Sequence, residues 1–168
     1  MEDKERLKTF TELINSFDEG LALSEEYDSM LHDYNGVIMY QAESQVIKAI
    51  GDNPGITVSQ LAALFKQSVS ACSQVIKKLK NKLWVVQKRN RQNNREWNIF
   101  LTEEGSRIYL SHQRFENRCY QRSFDHLKEF SDEELRTYIR IQKKLNESFA
   151  QDVKESREFN YFYPGSVS

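Results

Sequence analysis

The segment from Pro54 to Leu101 changes its hydrophobic period once, and this change constrains the fold more than any other feature. Apolar residues first recur at helical spacing in two short stretches, and after Leu83 they alternate with polar residues. A period near 3.6 residues predicts helices, and a period of two predicts strands. The segment therefore predicts two short helices followed by a β-hairpin.

Only three residues connect the two predicted helices. The first helix covers 60–65 after a cap at Thr57 or Ser59, and the second runs from Val69 to about Asn81. Apolar residues at i, i+3, i+4 and i+7 give the second helix one inward face. They are Cys72, Val75, Ile76 and Leu79. Two short helices joined by a tight turn are typical of a helix-turn-helix, whose second helix enters the DNA major groove.

A basic loop separates the two predicted strands, 84–89 and 96–101. The loop, residues 90–95, consists of turn-forming residues and arginines, with nothing apolar to bury. We expect alternate residues of the second strand to face the helices, namely Trp97, Ile99 and Leu101. A hairpin with a basic tip directly after a helix-turn-helix is typical of a wing, whose arginines reach the minor groove or phosphates.

Charge is strongly segregated along the chain. Between Asn53 and Arg95 there are nine basic residues and no acidic ones. The chain has 24 basic and 25 acidic residues in total, so the remaining 15 basic and 25 acidic residues carry a net charge of −10. A basic patch on an otherwise acidic protein indicates a polyanion-binding surface. A merely solvated face is the alternative that charge alone leaves open.

The outer face of the second helix and the wing carry the candidate DNA-binding residues. Ser, Asn and Gln side chains bond base edges, whereas Lys and Arg reach phosphates. The helix candidates are Ser68, Ser70, Ala71, Ser73, Gln74, Lys77 and Lys78. The wing candidates are Arg89, Arg91, Asn93, Asn94 and Arg95.

Long helices are predicted on both sides of this segment. An apolar stripe from Leu7 to Leu21 predicts a first helix with a break near 20–24, and a second helix runs from about Met39 to Ile50. Helix starts at Thr102 and Ser131 predict two more. The expected fold is mainly α with a small β wing, in the order α-α-α-α-β-β-α-α, with a short first strand near 56–58.

The domain organisation follows from these elements. We expect an N-terminal dimerisation helix and connector over 1–38, a winged helix-turn-helix over 39–102, and C-terminal dimerisation helices over 103–158. The aromatic tail 159–168 either docks on the dimer or is disordered. The flanking helices offer more apolar surface than the small winged domain covers, so a homodimer is expected.

One helix face offers a candidate metal site, and other chemistry is sparse. His112, Glu116 and Cys119 fall at i, i+4 and i+7, a spacing that suits zinc with a fourth ligand from elsewhere, although packing is the alternative reading. No catalytic motif occurs, so no enzyme and no bound cofactor are expected. Without a long apolar run or a signal peptide, we expect no membrane partner and a cytoplasmic location.

The part of the chain from about residue 40 to residue 110 resembles the winged-helix domain of the multiple antibiotic resistance regulator (MarR) family. The resemblance rests on the runs Pro54–Ala62, Ser68–Ala71, Trp84–Val85, Asn93–Arg95 and Leu101–Gly105. It implies a dimeric transcription regulator, in most members a repressor, that binds a pseudo-palindromic double-stranded operator and often responds to small phenolic ligands, oxidants or metals. A metal-responsive regulator of the same fold and a winged-helix module that binds protein instead of DNA are the alternatives.

The sequence departs from the family pattern at three positions. Lys66 and Leu83 stand where members usually have glycine, and Asn93 replaces the wing aspartate that helps to hold the arginine, here Arg95. An amide accepts a weaker hydrogen bond than a carboxylate, so Arg95 is less fixed or freer to reach phosphate. Some metal-responsive members use a His-x-x-x-His pair on the helix of His112 and another histidine from the second helix, and Glu116 and Gln45 stand at two of these three places.

Overall fold

A computed structural model describes residues 2–90 and 96–162, and within these residues it contains six helices and two small hairpins. The helices are α1 (Glu2–Ser29), α2 (Gln41–Asp52), α3 (Val58–Phe65), α4 (Val69–Asn81), α5 (Glu103–His126) and α6 (Asp132–Phe162). Antiparallel pairing joins β1 (Leu31–Asp33) to β2 (Ile38–Tyr40) and β3 (Val85–Arg89) to β4 (Trp97–Leu101). The predicted mainly α fold with a small β wing is confirmed.

The chain divides into two compact units, residues 1–118 and 119–168. The first unit contains α1 to α4, both hairpins and most of α5, and the second contains the end of α5 and all of α6. Within the described residues, no helix has both the length and the apolar character that crossing a membrane requires.

The core of the first unit lies among α2, α3, α4 and the β3–β4 hairpin. Its side chains come from every one of these elements, and several are fully buried, including Ile47, Ile50, Leu61, Leu79 and Ile99. Burying such side chains is the main stabilising contribution to a domain of this size. The predicted inward face of α4 is confirmed, since three of its four residues are buried and Val75 packs against the core at its edge.

Side-chain caps define where the helices begin. Thr57 and Gln60 form a capping box at the start of α3, and the Ser68 hydroxyl accepts a hydrogen bond from the Ala71 amide at the start of α4. Ser131 and Glu134 form the equivalent pair at the start of α6. These caps satisfy backbone amides that have no partner within the helix, and the sequence predicted them for α3 and α6.

The two positions where glycine is usual in the family have left-handed backbone conformations in this chain. Lys66 ends α3 with φ 52°, and Leu83 follows α4 with φ 62°. A side chain in this conformation costs about 1–3 kcal/mol relative to a relaxed backbone. The turns on both sides of α4 therefore retain the geometry that glycine favours, although neither position is a glycine.

Thr102 and Gly105 join the start of α5 to the turn between α4 and β3. The Thr102 amide donates to the Trp84 carbonyl at 3.0 Å, and its hydroxyl donates to the Leu83 carbonyl at 2.7 Å. The same hydroxyl accepts from the Gly105 amide at 3.1 Å. A Cβ at the buried Gly105 would overlap the Trp84 carbonyl oxygen. The glycine of the Leu-Thr-x-x-Gly run therefore allows the backbone of α5 to approach the Trp84 carbonyl closely, and any larger residue would overlap this carbonyl.

Three details of the sequence-based fold are wrong. α1 is continuous through 20–24, because a single interior glycine weakens a helix without ending it. α2 begins at Gln41 and not near Met39, because the residues before it form the β1–β2 hairpin, which the sequence did not predict. Residues 56–58 are not a strand. Val58 already begins α3, and Ile56 only shares one backbone hydrogen bond with Ile99.

We predict that Gly105→Ala lowers the free energy of unfolding by about 1–3 kcal/mol, because the added methyl group must displace the Trp84 backbone. Gly20→Ala is the matched control. Its added Cβ meets nothing within 4 Å inside α1, so it should raise stability by about 0.5–1 kcal/mol. Urea unfolding measures both changes, and equal effects of the two substitutions would contradict the contact.

Candidate nucleic-acid interface

The outer face of α4 presents the predicted polar and basic set to solvent. Exposed side chains on this face are Ser70, Ser73, Gln74, Lys77 and Lys78, and Ala71 is half-buried. Ser68 precedes the helix, and its hydroxyl oxygen already serves as the cap. The face carries no acidic residue, so it can approach a phosphate backbone without like-charge repulsion.

The structure fixes the base of the wing. Arg89 is exposed at the end of β3, and the Asn90 amide donates to the Glu96 carbonyl at 3.0 Å as the strands separate. The remaining predicted wing residues, Arg91, Asn93, Asn94 and Arg95, lie outside the described residues. The described part therefore shows where the wing begins and which side chains flank it.

The wing hairpin is also bonded to the segment that precedes α3. The Gly55 amide donates to the Ile99 carbonyl at 2.9 Å, and the Ile99 amide donates to the Ile56 carbonyl at 3.0 Å. Gly55 has φ +91°, a conformation that favours glycine. These two bonds hold the hairpin against the helix-turn-helix, so the wing and α4 keep a defined relative position.

Three basic side chains near the wing lie over aromatic rings. The Lys82 ammonium is 4.5 Å from the Trp84 ring centroid, and the Lys88 ammonium is 5.2 Å from the centroid of Phe100. The Arg89 guanidinium carbon is 5.7 Å from the Trp97 centroid. These separations are within the range of cation–π attraction. Sequence reasoning missed the pairs, because they become visible only once the strand register is known.

Trp97 differs from its expected role. It lies on the same face as Ile99, but 46% of its surface is exposed, whereas Ile99 is fully buried. The expectation that this face packs against the helices is right for Ile99 and wrong for Trp97, which lies at the outer end of the hairpin. The register places Trp97 directly opposite Arg89.

Lys82 belongs to the same basic set but has a structural partner. Its ammonium lies 2.9 and 3.1 Å from the two carboxylate oxygens of Glu43, whose side chain is 12% exposed. The pair joins the end of α4 to α2. A buried carboxylate needs such a partner, so Lys82 is less available to DNA than the other lysines of the set.

A cavity of about 230 Å³ lies directly behind α4, which is the expected recognition helix of the helix-turn-helix. Its apolar wall includes Val46, Phe65, Cys72 and Val75. Polar groups at the cavity come from Asp28, Gln41, Gln45 and Gln67, which belong to α1, α2 and the α3–α4 turn. Cys72 is 2% exposed and part of the core, as the sequence suggested. The cavity therefore contacts both the recognition helix and the elements packed behind it.

His112 is buried without a hydrogen-bond partner. It is 1% exposed, and within the described residues neither ring nitrogen forms a hydrogen bond. Its Nδ1 lies 3.8 Å from the Glu116 carboxylate, and the Tyr34 ring lies beside it at 5.2 Å. Burial disfavours the charged ring and lowers the pKa of His112 below 6.5, while Glu116 opposes this shift.

The structure brings together only part of the candidate metal site. His112 and Glu116 approach one another, and Cys119 follows Glu116 by three residues on α5. In the part of the chain that the structure describes, no group of three or more His, Cys, Asp or Glu side chains is placed to hold a metal ion.

Residues 40–96 match the family model described as the MarR family. The match runs from the end of β2 to the edge of the wing and includes all the runs that carried the sequence resemblance except Leu101–Gly105. A comparison with curated proteins finds no match.

Solved structures share the fold over most of the chain. One is Streptococcus pneumoniae FabT in complex with DNA, at 20% identity and TM-score 0.63, covering 87% of this chain and 98% of that one. Another is Lactococcus lactis ZitR, a zinc-responsive MarR family member, at 18% identity and TM-score 0.70, covering 83% and 99%. ZitR in complex with DNA gives 19% identity, TM-score 0.68, and coverage of 82% and 97%. At these identities the likeness establishes the fold.

The buried imidazole of His112 predicts a pH dependence of stability. Because its pKa is lowered in the folded state, the unfolded chain binds more protons as the pH falls through 6.5. The free energy of unfolding should therefore decrease between about pH 7.5 and pH 5, and His112→Phe should reduce this decrease. Urea unfolding at several pH values measures it.

His126→Gln is the control, because it removes an exposed histidine from the same helix. The charged groups that act on His112 are Glu116, Lys48 and Asp52, and all three remain in both variants. An unchanged pH dependence in His112→Phe, or the same reduction in His126→Gln, would assign the effect to other groups.

Proposed function

Residues 40–96 carry the winged-helix segment of the MarR family, and on that premise we propose that the chain is a homodimeric, ligand-responsive repressor. The family match supports the broader statement that it is a DNA-binding transcription regulator. The observation that carries the proposal is the exposed, acid-free outer face of α4 beside a wing whose base is basic. The target is double-stranded DNA with a pseudo-palindromic operator.

The distribution of charge supports docking through this face. Seven of the nine basic residues of the acid-free window lie on α4, in its flanking turns and on β3, and the other two, Arg91 and Arg95, lie outside the described residues. The rest of the chain carries a net charge of −10. DNA attracts the first surface and repels the second. Small side chains on α4 allow close approach to base edges, with Gln74 as a donor and acceptor.

Exposed apolar residues on the flanking helices support a homodimer. In α1, Leu7 and Leu23 are 63% and 59% exposed, and Phe10 and Leu21 are about half exposed. No described side chain of α6 is buried, although Tyr138, Ile139, Ile141, Val153 and Phe159 lie on it. A second copy of the chain is the simplest partner that covers such faces, and it would pair two recognition helices for a two-fold symmetric operator.

The cavity behind α4 is our candidate effector site. An apolar cavity of about 150 Å³ is enough to hold benzene, so about 230 Å³ accommodates a small phenolic ring. The amides of Gln45 and Gln67 and the carboxylate of Asp28 are available groups for a phenolic hydroxyl. A ligand there contacts the inner side of α4, and this contact would couple binding to the position of the recognition helix. We propose repression, as opposed to activation, of transcription from the resemblance to the MarR family.

Selection from a random duplex library tests the DNA-binding proposal. We expect an enriched inverted repeat with half-sites about one helical turn apart, because the two α4 helices of a dimer meet successive major grooves on one side of the duplex. An enriched single half-site would argue against the dimer. Absence of any enriched sequence would favour the alternative of a winged helix that binds protein.

Two α4 substitutions separate base reading from phosphate contact. Gln74→Ala should change the enriched sequence, since it removes a base-edge donor and acceptor. Lys78→Ala should leave the enriched sequence unchanged, weaken binding to every duplex, and reduce the salt slope by about two units if each Lys78 of the dimer contacts one phosphate. Equal losses on selected and random DNA for Gln74→Ala would contradict base reading.

Ala42→Trp tests the effector site. Ala42 lies at the cavity and its side chain is exposed, so an indole there should fill the space without removing an existing contact. We expect salicylate to raise the melting temperature of the wild type, and this rise to disappear in Ala42→Trp. Leu64→Trp, on an exposed α3 position outside the cavity, is the control. An equal rise in both variants would place the ligand elsewhere.

A further inference from the structure

We propose that Trp97 is a positioning residue for DNA binding, which holds the Arg89 guanidinium in place to meet a backbone phosphate at the base of the wing. The proposal rests on the proposed DNA-binding function. It adds a role that the basic residues alone do not reveal, because Trp97 has no charge or hydrogen-bonding group suited to a phosphate other than its indole N–H.

The geometry of the pair fits this role. Arg89 and Trp97 are directly opposite in the β3–β4 register, and the guanidinium carbon lies 5.7 Å from the ring centroid. Both residues are exposed, and Trp97 retains 46% of its surface. About half of the Trp97 surface is therefore open to solvent beside Arg89, and the aromatic ring offers the guanidinium a surface for cation–π attraction.

The guanidinium remains available to a ligand. Stacking on an aromatic ring uses its flat face, and its N–H donors point outward in the plane, where they can reach phosphate oxygens. Among residues 2–90 and 96–162, no carboxylate forms an ion pair with Arg89. Lys82 gives the contrast, because it also lies over an indole but is already paired with Glu43.

A second pair repeats the arrangement on the other face of the hairpin. The Lys88 ammonium lies 5.2 Å from the Phe100 centroid, and Lys88 likewise has no carboxylate partner in the described part of the chain. Adjacent residues of a strand point to opposite faces. Each face of the hairpin therefore carries one cation beside an aromatic ring at the base of the wing, and both cations come before the tip of the wing in the sequence.

Holding the cation in advance increases affinity by reducing the ordering needed on binding. A long side chain that is immobilised at an interface loses rotamer freedom, and the loss weakens binding severalfold for each residue. An arginine that a nearby aromatic ring already attracts in the free protein has lost part of this freedom. Removing the ring should therefore weaken DNA binding, although the ring itself need not touch DNA.

Binding of the full-length chain to a fluorescein-labelled mixed-sequence duplex about three helical turns long tests the proposal. Trp97→Leu should weaken binding by about three- to tenfold for each wing. Trp97→Phe should stay within about twofold of the wild type, since a phenyl ring still attracts the guanidinium. Melting temperature and oligomeric state are recorded for each variant, because an exposed site should leave both unchanged.

A double-mutant cycle distinguishes positioning from a separate contact. If Trp97 acts through Arg89, then Arg89→Ala and the Arg89→Ala, Trp97→Leu double variant should bind equally, within about twofold. Independent losses that multiply in the double variant would overturn the proposal. Full affinity in Trp97→Leu while Arg89→Ala is weakened would also overturn it and leave the DNA-binding function intact. A wild type that binds no duplex would overturn both.

Fluorescence supplies a second measurement. The chain has two tryptophans, so Trp84→Phe leaves Trp97 as the reporter. Addition of the unlabelled duplex should change its emission, because Arg89 and a phosphate come together beside the ring. The change should be smaller when Arg89→Ala is added to this background. Emission that does not respond to DNA would contradict the placement of Trp97 at the interface.

Discussion

The contact between Gly105 and the Trp84 carbonyl is the constraint on which the relative position of α4 and the wing depends. With the two Thr102 hydrogen bonds, it fixes the start of α5 against the turn that ends α4. The same turn starts β3, so one small region sets where the recognition helix ends and where the wing begins. Two bonds from Ile99 to the segment before α3 hold the hairpin from its other side.

Basic residues of the acid-free window serve different purposes, although they are alike in sequence. Lys82 neutralises the buried Glu43 and joins α4 to α2, which is a structural task. Lys77 and Lys78 are exposed on the outer face of α4. Arg89 and Lys88 lie over aromatic rings of β4 and carry no ion pair within the described residues. Net charge identifies the surface, whereas the partner of each cation identifies its role.

Two buried features of the first unit are imperfectly packed. The cavity behind α4 is bordered by Cys72 and by glutamines of α2 and the α3–α4 turn. His112 of α5 is buried beside Tyr34 and forms no hydrogen bond within the described residues. Empty space and an unsatisfied imidazole both lower stability relative to a fully packed core. Sites that respond to ligands or protons are commonly built from such imperfectly packed regions.

The sequence alone determined the helix-turn-helix, the hairpin and the capped helix starts, because hydrophobic period and caps act over a few neighbouring residues. It predicted α4 as Val69–Asn81 with the correct inward face. It predicted a break in α1 and a strand at 56–58, neither of which the structure contains, and it predicted that Trp97 packs against the helices. The tertiary structure decided these points, together with the Lys82–Glu43 pair and the Arg89–Trp97 contact. Each depends on strand register or on residues far apart in sequence, which local periodicity does not specify.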